Sequence, residues 1–200
     1  MQPWQPLLDL WFGDEADDVL RATRQAPLWW GKSSETDALL AKQFGAQAEA
    51  AANGELADWA DLHHGRLALI LLLDQLPRNI HRGTPAAFAQ DPQARDLCLK
   101  GLSIGADKSL SPLERVFFYL PLEHAESREQ QARSVALFEA LAAEQAGTPV
   151  QATFAEFADF ARRHQVIIER FGRFPHRNDI LGRTSTPEEA VFLQQPGSGF

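Results

Sequence analysis

An apolar run from Leu67 to Leu73 constrains the fold of this 200-residue chain more than any other feature. Arg66 precedes the run and Asp74 follows it. A membrane-spanning helix needs about 20 apolar residues, so this run is too short to cross a bilayer. Because the run is apolar all round, it predicts a helix that is buried on every side. The sequence therefore predicts a helical core and no membrane partner.

Helix start and stop signals recur along the chain, whereas segments that alternate with period two are missing. Side chains able to cap a helix stand at Ser33 or Ser34, Asp91 and Ser111, and further helices are expected to start at Ser127 and Thr186. The expected helices cover residues 6–12, 14–23, 33–53, 59–75, 127–145 and 154–171, with further starts at Asp91, Ser111 and Thr186. Pro77 is expected to end the helix that contains the apolar run. The prediction is one all-α domain over residues 1–200.

Composition narrows the classes of partner. The chain carries 19 basic and 27 acidic residues, a formal net charge of −8, which disfavours nucleic acid as a partner. Cys98 is the only cysteine, so an intrachain disulfide and a thiolate zinc cage are both excluded. These features are compatible with a reducing cytoplasm, where we expect the protein. They leave the oligomeric state and any cofactor unknown.

Ionisable side chains stand on apolar helix faces at three places. Asp74 ends the apolar run, and a buried carboxylate needs a basic partner, for which Arg78 is a candidate. Glu123 and His124 follow Pro121, whose missing N–H deprives the Phe117 carbonyl of its helical partner. His164 lies between phenylalanines of the last long helix. At each place the residues either anchor the helix or line a polar pocket.

A basic stretch follows that last long helix. Several guanidinium groups on a loop bent by Gly172 and Pro175 would suit a carboxylate or a phosphate, but they would also suit the negative end of the helix dipole. Both interpretations stay open. The stretch contains Arg170, Arg173, His176, Arg177 and Asn178.

Nucleophile and phosphate motifs are missing: there is no glycine-rich phosphate loop, no G-x-S-x-G and no H-E-x-x-H. General acid–base chemistry is the remaining possibility, with Glu123, His124, His164, His176 and Asp74 as candidates. A metal site would have to use Glu123, His124, Glu126 or His164, but their spacing matches no metal motif, and we predict none.

Several segments together resemble the bacterial domain-of-unknown-function family 924. They are residues 74–79 (DQLPRN), 82–84, 87–89, 91–92, 112–115, 119–124 (YLPLEH), 170–182, 185–189, 192–193 and 195–198. The resemblance extends over nearly the whole chain. It implies stacked antiparallel helix pairs of the tetratricopeptide-like kind, although no repeat is visible in the residues. It implies no activity, so its motif residues are candidates for ligand binding only: Asp74, Arg78, Asn79, Glu123, His124, Arg170, Arg173, His176, Arg177 and Asn178.

Three functions compete at this point. The first is a polar pocket that binds a small anionic molecule, with acid–base catalysis as an extension. The second is a tetratricopeptide-like module that binds a peptide or protein, with either Trp29 and Trp30 or the Phe-rich C-terminus as exposed anchors. The third is a metal-dependent helical enzyme. The first is expected to require Asp74, His124 and Arg173 on one cavity.

Overall fold

Helices are the regular elements of residues 2–199, the part of the chain that the computed structural model describes. Short 3₁₀ turns at Ala57–Asp61, Pro85–Ala87, Ala106–Ser109 and Pro175–Arg177 lie between some of them. No strand is present in these residues, so the all-α prediction is confirmed. The helices are α1 (Gln5–Phe12), α2 (Asp18–Trp30), α3 (Ser34–Ala52), α4 (His63–Ile70), α5 (Leu76–Ile80), α6 (Asp91–Ser103), α7 (Pro112–Glu123), α8 (Arg128–Glu144), α9 (Gln151–Phe171) and α10 (Pro187–Phe192).

The apolar run lies at the centre of the core. Every side chain from Leu67 to Leu73 is buried, because α4 packs against both α6 and α7 while α3 covers the turn that follows α4. Cys98 on α6 is also fully buried in this core. The prediction of a helix buried on all sides is confirmed. Across residues 2–199, no helix has the length and apolarity that a membrane crossing would require.

Pro77 does not end the central helix, contrary to the prediction. The chain widens into a π-helical turn at Leu71–Gln75, where the Leu76 N–H donates to the Leu71 carbonyl five residues back. Helical structure then continues through α5 to Ile80. The wider turn shifts the hydrogen-bond register, so the missing N–H of Pro77 falls in the first turn of α5, where no helical partner is needed.

Several helix starts agree with the predicted caps. The predicted caps Ser33 and Ser111 each accept a hydrogen bond from a backbone N–H in the following first turn. Ser127 and Thr186 do the same at two other expected helix starts. Asp91 does not cap, because it is the first residue of α6 and its side chain is used elsewhere. Other boundaries also differ from prediction. Helix α2 spans residues 18–30 instead of 14–23, α4 begins at His63 instead of Trp59, and α9 begins three residues early at Gln151.

The two adjacent tryptophans differ in their environment. Trp29 is buried, and its indole Nε1 donates to the Trp11 carbonyl at 2.8 Å, so the prediction of an exposed anchor is wrong for this residue. Trp30 is half exposed and stacks on Phe117, with ring centroids 5.6 Å apart and an interplanar angle of 11°. Only Trp30 of this pair is free to contact another molecule.

Candidate functional site

Asp74 and His124 meet in the interior although 50 residues separate them in the chain. Asp74 stands in the π-helical turn and is fully buried. His124 directly follows the last residue of α7, and its Nδ1 lies 2.8 Å and 2.9 Å from the two carboxylate oxygens of Asp74. A carboxylate can only accept, so the Nδ1 atom carries the proton. The carboxylate therefore fixes both the orientation and the tautomer of the imidazole.

Three side chains stabilise the Asp74 carboxylate. The Gln75 side chain donates to it at 2.6 Å, and an Arg78 guanidinium nitrogen lies 3.4 Å from it. Burial opposes ionisation, but the Arg78 charge and the His124 hydrogen bond outweigh it and hold the pKa of Asp74 well below its usual range. Asp74 is thus a carboxylate, and its predicted pairing with Arg78 is present.

The His124 ring is neutral under ordinary conditions. Burial, and then the positive charge of Arg78, lower its pKa despite the opposing effect of Asp74. The second ring nitrogen, Nε2, makes no hydrogen bond within residues 2–199. Since Nδ1 carries the proton, Nε2 has a free lone pair. This arrangement is suited to accepting a proton from a molecule beside the ring.

Asp91 joins two of the arginines. Arg78 donates to both of its oxygens, at 2.9 Å and 3.0 Å, and Arg177 donates to one at 3.3 Å. The Arg177 guanidinium also lies 4.6 Å from the ring centroids of both Phe88 and Phe174. Burial and the nearby Arg78 lower the pKa of Arg177 to about 10, so it remains a cation at neutral pH. These contacts place Arg177 in the same cavity lining as His124.

A cavity of about 260 Å³ opens next to the free edge of His124. We call it the His124 cavity. Its polar lining comes from α6, from the segment that follows α7 and from the loop after α9. Glu126, in this lining, is bound by Arg183 at 2.6 Å and 2.9 Å. The lining residues are Pro85, Phe88, Ala89, Asp91, Pro92, Arg95, His124, Ala125, Glu126, Arg177 and Leu181.

Glu123 and His164 form a second buried pair, and neither belongs to the lining of the His124 cavity. His164 Nδ1 lies 2.9 Å from the Phe160 carbonyl oxygen and 3.2 Å from Glu123 Oε1. Burial raises the pKa of Glu123 to about 8, with a further contribution from the Asp74 charge. Burial also lowers the pKa of His164 to about 3. Both side chains are therefore neutral at pH 7, which is how a low-dielectric interior accommodates them.

Other predicted site residues lie away from the His124 cavity. Asn79 donates to Asp37 on α3 at 2.9 Å. His176 stacks near Phe174, with ring centroids 5.6 Å apart. The remaining three attach the C-terminal segment to the body, and none of them lines the cavity: Arg170 binds Glu188, Arg173 binds Glu189 through two nitrogens, and Asn178 donates to Ser185 and Glu189. The expectation that Arg173 faces one cavity with Asp74 and His124 is therefore not met.

The sequence reasoning missed two charged residues of the lining. The sequence predicts Asp91 only as a helix cap and gives no prediction for Arg95. They are four residues apart on α6 and so share one face of that helix. This spacing is visible in the sequence and could have identified them as a pair. Phe88 had no such signal, because it approaches Arg177 from a loop distant in sequence. Only the folded chain brings these residues together.

No cluster of three or more His, Cys, Asp or Glu side chains within residues 2–199 is arranged to hold a metal ion. Of the four residues considered for a metal, Glu126 is occupied by Arg183 and Glu123 pairs with His164. Within residues 2–199, no set of metal-binding side chains therefore supports the metal hypothesis.

Comparison with known proteins gives two matches that agree with each other. The family described as bacterial protein of unknown function (DUF924) matches residues 7–197. The solved structure of a protein of unknown function from Agrobacterium tumefaciens, ATU0120, is similar with a TM-score of 0.80. The two chains are 37% identical, and the match covers 96% of each. A comparison with curated proteins gave no match.

Proposed function

Because the chain belongs to the DUF924 family, whose description names no activity, we propose its function from the site itself. The protein binds a small anionic molecule in the His124 cavity, and His124 acts on that molecule as a general base. The observation that carries the proposal is the pairing of Asp74 with His124 Nδ1 at 2.8 Å, which leaves Nε2 open at the cavity.

The acid–base role follows from this pairing. A neutral imidazole whose Nδ1–H donates to a buried carboxylate accepts a proton at Nε2, and the carboxylate stabilises the imidazolium that results. None of the cavity-lining side chains is a Ser, Thr, Cys or Lys. The base would therefore take its proton from the bound molecule or from water, and a covalent serine or cysteine intermediate is not part of the proposal.

The preference for an anion follows from the guanidinium groups. Arg95 and Arg177 both line the cavity, and a guanidinium binds a carboxylate or phosphate oxygen pair with a matching geometry. A neutral His124 adds a ring nitrogen without adding a repulsive negative charge. Asp91 and Glu126 do supply negative charge, but each is already bound by an arginine.

The binding experiment is a thermal-shift screen of the wild-type protein against phosphate, sulfate, small monocarboxylates and small dicarboxylates. A ligand at 100 times its dissociation constant adds about 2.7 kcal/mol of stability, a melting-point rise of several degrees. We expect His124→Gln to abolish the rise and His81→Gln, a change at an exposed histidine, to retain it. If no anion raises the melting point, or if His124→Gln responds like the wild type, the proposal is wrong.

Catalysis needs a separate readout. The ligand found in the screen is incubated with the protein in D₂O, and its proton signals are followed by NMR for exchange or conversion. General base catalysis contributes about 100-fold or more, so Asp74→Asn, which removes the charge that stabilises the imidazolium, should lower the rate by at least that factor. If Asp74→Asn and the wild type convert the ligand at the same rate, the proposed catalysis is wrong, whereas the proposed anion binding is unaffected.

The peptide-binding alternative keeps one supporting observation. Trp30 is half exposed beside the aromatic core, although Trp29 is not available as a second anchor. A tetratricopeptide-like arrangement of the helix pairs is part of this alternative. This alternative would replace anion binding as the preferred function under two conditions. One peptide partner would have to be recovered in stoichiometric amount with the wild type but not with Trp30→Ala, and no anion would raise the melting point.

A further inference from the structure

Arg95 differs from the other arginines around the His124 cavity. Arg78 and Arg177 are both bound to Asp91, and Arg183 is bound to Glu126. Arg95 has a 3.8 Å ion pair with Asp96, which is longer than a hydrogen bond. Its side chain is 34% exposed, and it lines the cavity. Its guanidinium donors are therefore available to a ligand.

The charges around the cavity indicate how much negative charge a ligand should carry. The carboxylates of Asp74, Asp91 and Glu126 face four guanidinium groups. Arg95 alone among the four has its carboxylate partner, Asp96, beyond hydrogen-bond distance, at 3.8 Å, so a bound anion can pair with Arg95. A monoanion would pair with Arg95 alone, whereas a dianion would leave a second negative charge near Asp91 and Glu126. Uncompensated charge in a partly buried site is unfavourable, so the balance favours a monoanion.

The remainder of the lining is apolar. Phe88 and Leu181 contribute the largest apolar side chains, and Pro85, Ala89, Pro92 and Ala125 complete the apolar part. A purely hydrophilic anion would leave these surfaces in contact with water. The volume of about 260 Å³ is slightly below the range of about 300–1,000 Å³ that is usual for cavities that bind drug-sized ligands. The apolar part of the ligand should therefore be a short chain or a single ring.

We propose that the His124 cavity takes a small amphipathic monocarboxylate, whose carboxylate pairs with Arg95 and whose alkyl or aryl body lies against Phe88 and Leu181. A planar carboxylate can accept two parallel hydrogen bonds from the Arg95 guanidinium. The inference rests on the proposed function, because it names the ligand class of the same cavity. It adds to the proposed function a binding residue, Arg95, and an amphipathic ligand, neither of which the Asp74–His124 pair alone requires.

The test is isothermal titration of the full chain with acetate, butanoate, hexanoate and benzoate, and with phosphate and malonate as hydrophilic anions, at constant ionic strength. Each methylene buried against the apolar part should tighten binding about fourfold until the cavity is filled. Phosphate and malonate should bind at least tenfold more weakly than hexanoate. His124→Gln is titrated in parallel, because loss of binding in that variant shows that the anion occupies this cavity.

Two variants separate the two ends of the ligand. Arg95→Gln should weaken hexanoate binding by tenfold or more, whereas Arg163→Gln, at an exposed arginine on α9 that is not in the cavity lining, should leave it unchanged. Leu181→Asn should remove the dependence on chain length while acetate binding persists. Circular dichroism and the melting point show whether each variant is folded, and both changed positions are partly exposed, so folding should be retained.

The outcomes distinguish the two proposals. If phosphate or malonate binds more tightly than hexanoate and His124→Gln abolishes that binding, the cavity is an anion site but the ligand class is wrong. If hexanoate binds equally to wild type and Arg95→Gln, the assigned role of Arg95 is wrong. If none of the six anions binds, or if binding is unaffected in His124→Gln, both the proposed function and this inference are overturned.

Discussion

Both carboxylate oxygens of Asp74 lie within 2.9 Å of one ring nitrogen of His124, and the carboxylate belongs to a side chain with no solvent exposure. The contact joins the π-helical turn after α4 to the end of α7. It places an ionised group in the core, where burial must be offset by Arg78, Gln75 and the imidazole N–H. Stability and the proposed chemistry therefore depend on the same residues.

Removal of the Asp74 carboxylate should strongly destabilise the fold. In Asp74→Ala, Arg78 loses one of its two carboxylate partners and the buried His124 N–H loses its acceptor. Breaking a buried ion pair by removing one partner typically costs about 3–5 kcal/mol, and urea unfolding should show a loss in that range. Asp96→Ala, at a largely exposed carboxylate, should cost less than about 1 kcal/mol. Similar losses in both variants would contradict the assigned role of Asp74.

Glu123 should make stability fall as the pH rises. Burial raises its pKa in the folded protein to about 8, from an ordinary value of 4.5, so between these values the folded state holds a proton that the unfolded state has released. Stability then decreases with rising pH, by at most about 1.4 kcal/mol per pH unit, and levels off above about pH 8. Glu123→Gln removes this titration.

Chemical unfolding of wild type and Glu123→Gln at pH 5, 6, 7 and 8 measures the effect. The stability of the variant relative to the wild type should rise steadily across this range, since the titrations of other groups largely cancel in the difference. Glu156→Gln, at an exposed position of α9, should show a constant difference. A constant difference for Glu123→Gln as well would show that folding does not raise the pKa of Glu123.

Glu189 should hold the C-terminal segment to the body. Its nearly fully buried carboxylate accepts hydrogen bonds from Arg173, from Asn178 and from the Thr186 backbone N–H. Glu189→Ala leaves these donors unpaired, at a cost of about 1–3 kcal/mol. Hydrogen exchange in α10 should therefore accelerate. Glu188→Ala, whose partner Arg170 is exposed, is the matched control and should leave the exchange of α10 nearly unchanged.

Two helical glycines should respond oppositely to replacement by alanine. A Cβ atom at Gly101 would lie 2.5 Å from Phe118 Cζ and 2.7 Å from Arg66 Cδ, so Gly101→Ala should destabilise by about 1–3 kcal/mol through overpacking. At Gly45, within α3, no atom beyond the neighbouring residues and backbone of the same helix lies within 4 Å of the added Cβ. Gly45→Ala should stabilise by about 0.5–1 kcal/mol. Equal melting points for the two variants would contradict the packing of α4 against α6.

Local signals in the sequence predicted much of the secondary structure. Ser111 with Glu114 and Thr186 with Glu189 form capping boxes, and Gly172 adopts a left-handed conformation at the end of α9. The burial of Leu67 to Leu73 could be predicted from the apolar composition of that run alone. Each of these features depends on residues a few positions apart. The effect of Pro77 was predicted incorrectly, because the π-helical turn that accommodates it is held by packing around the central helix.

The sequence by itself determined the helical class, the buried central helix and the need of Asp74 for a partner, because periodicity, capping and the cost of burying charge act locally. Only the tertiary structure decided which residues share a site. It brought Asp74 to His124 and Asp91 to Arg177, and it left Arg173 with Glu189. Ion pairs form between any opposite charges that packing places within reach, so the choice among many arginines and carboxylates is made by the packing of helices distant in sequence.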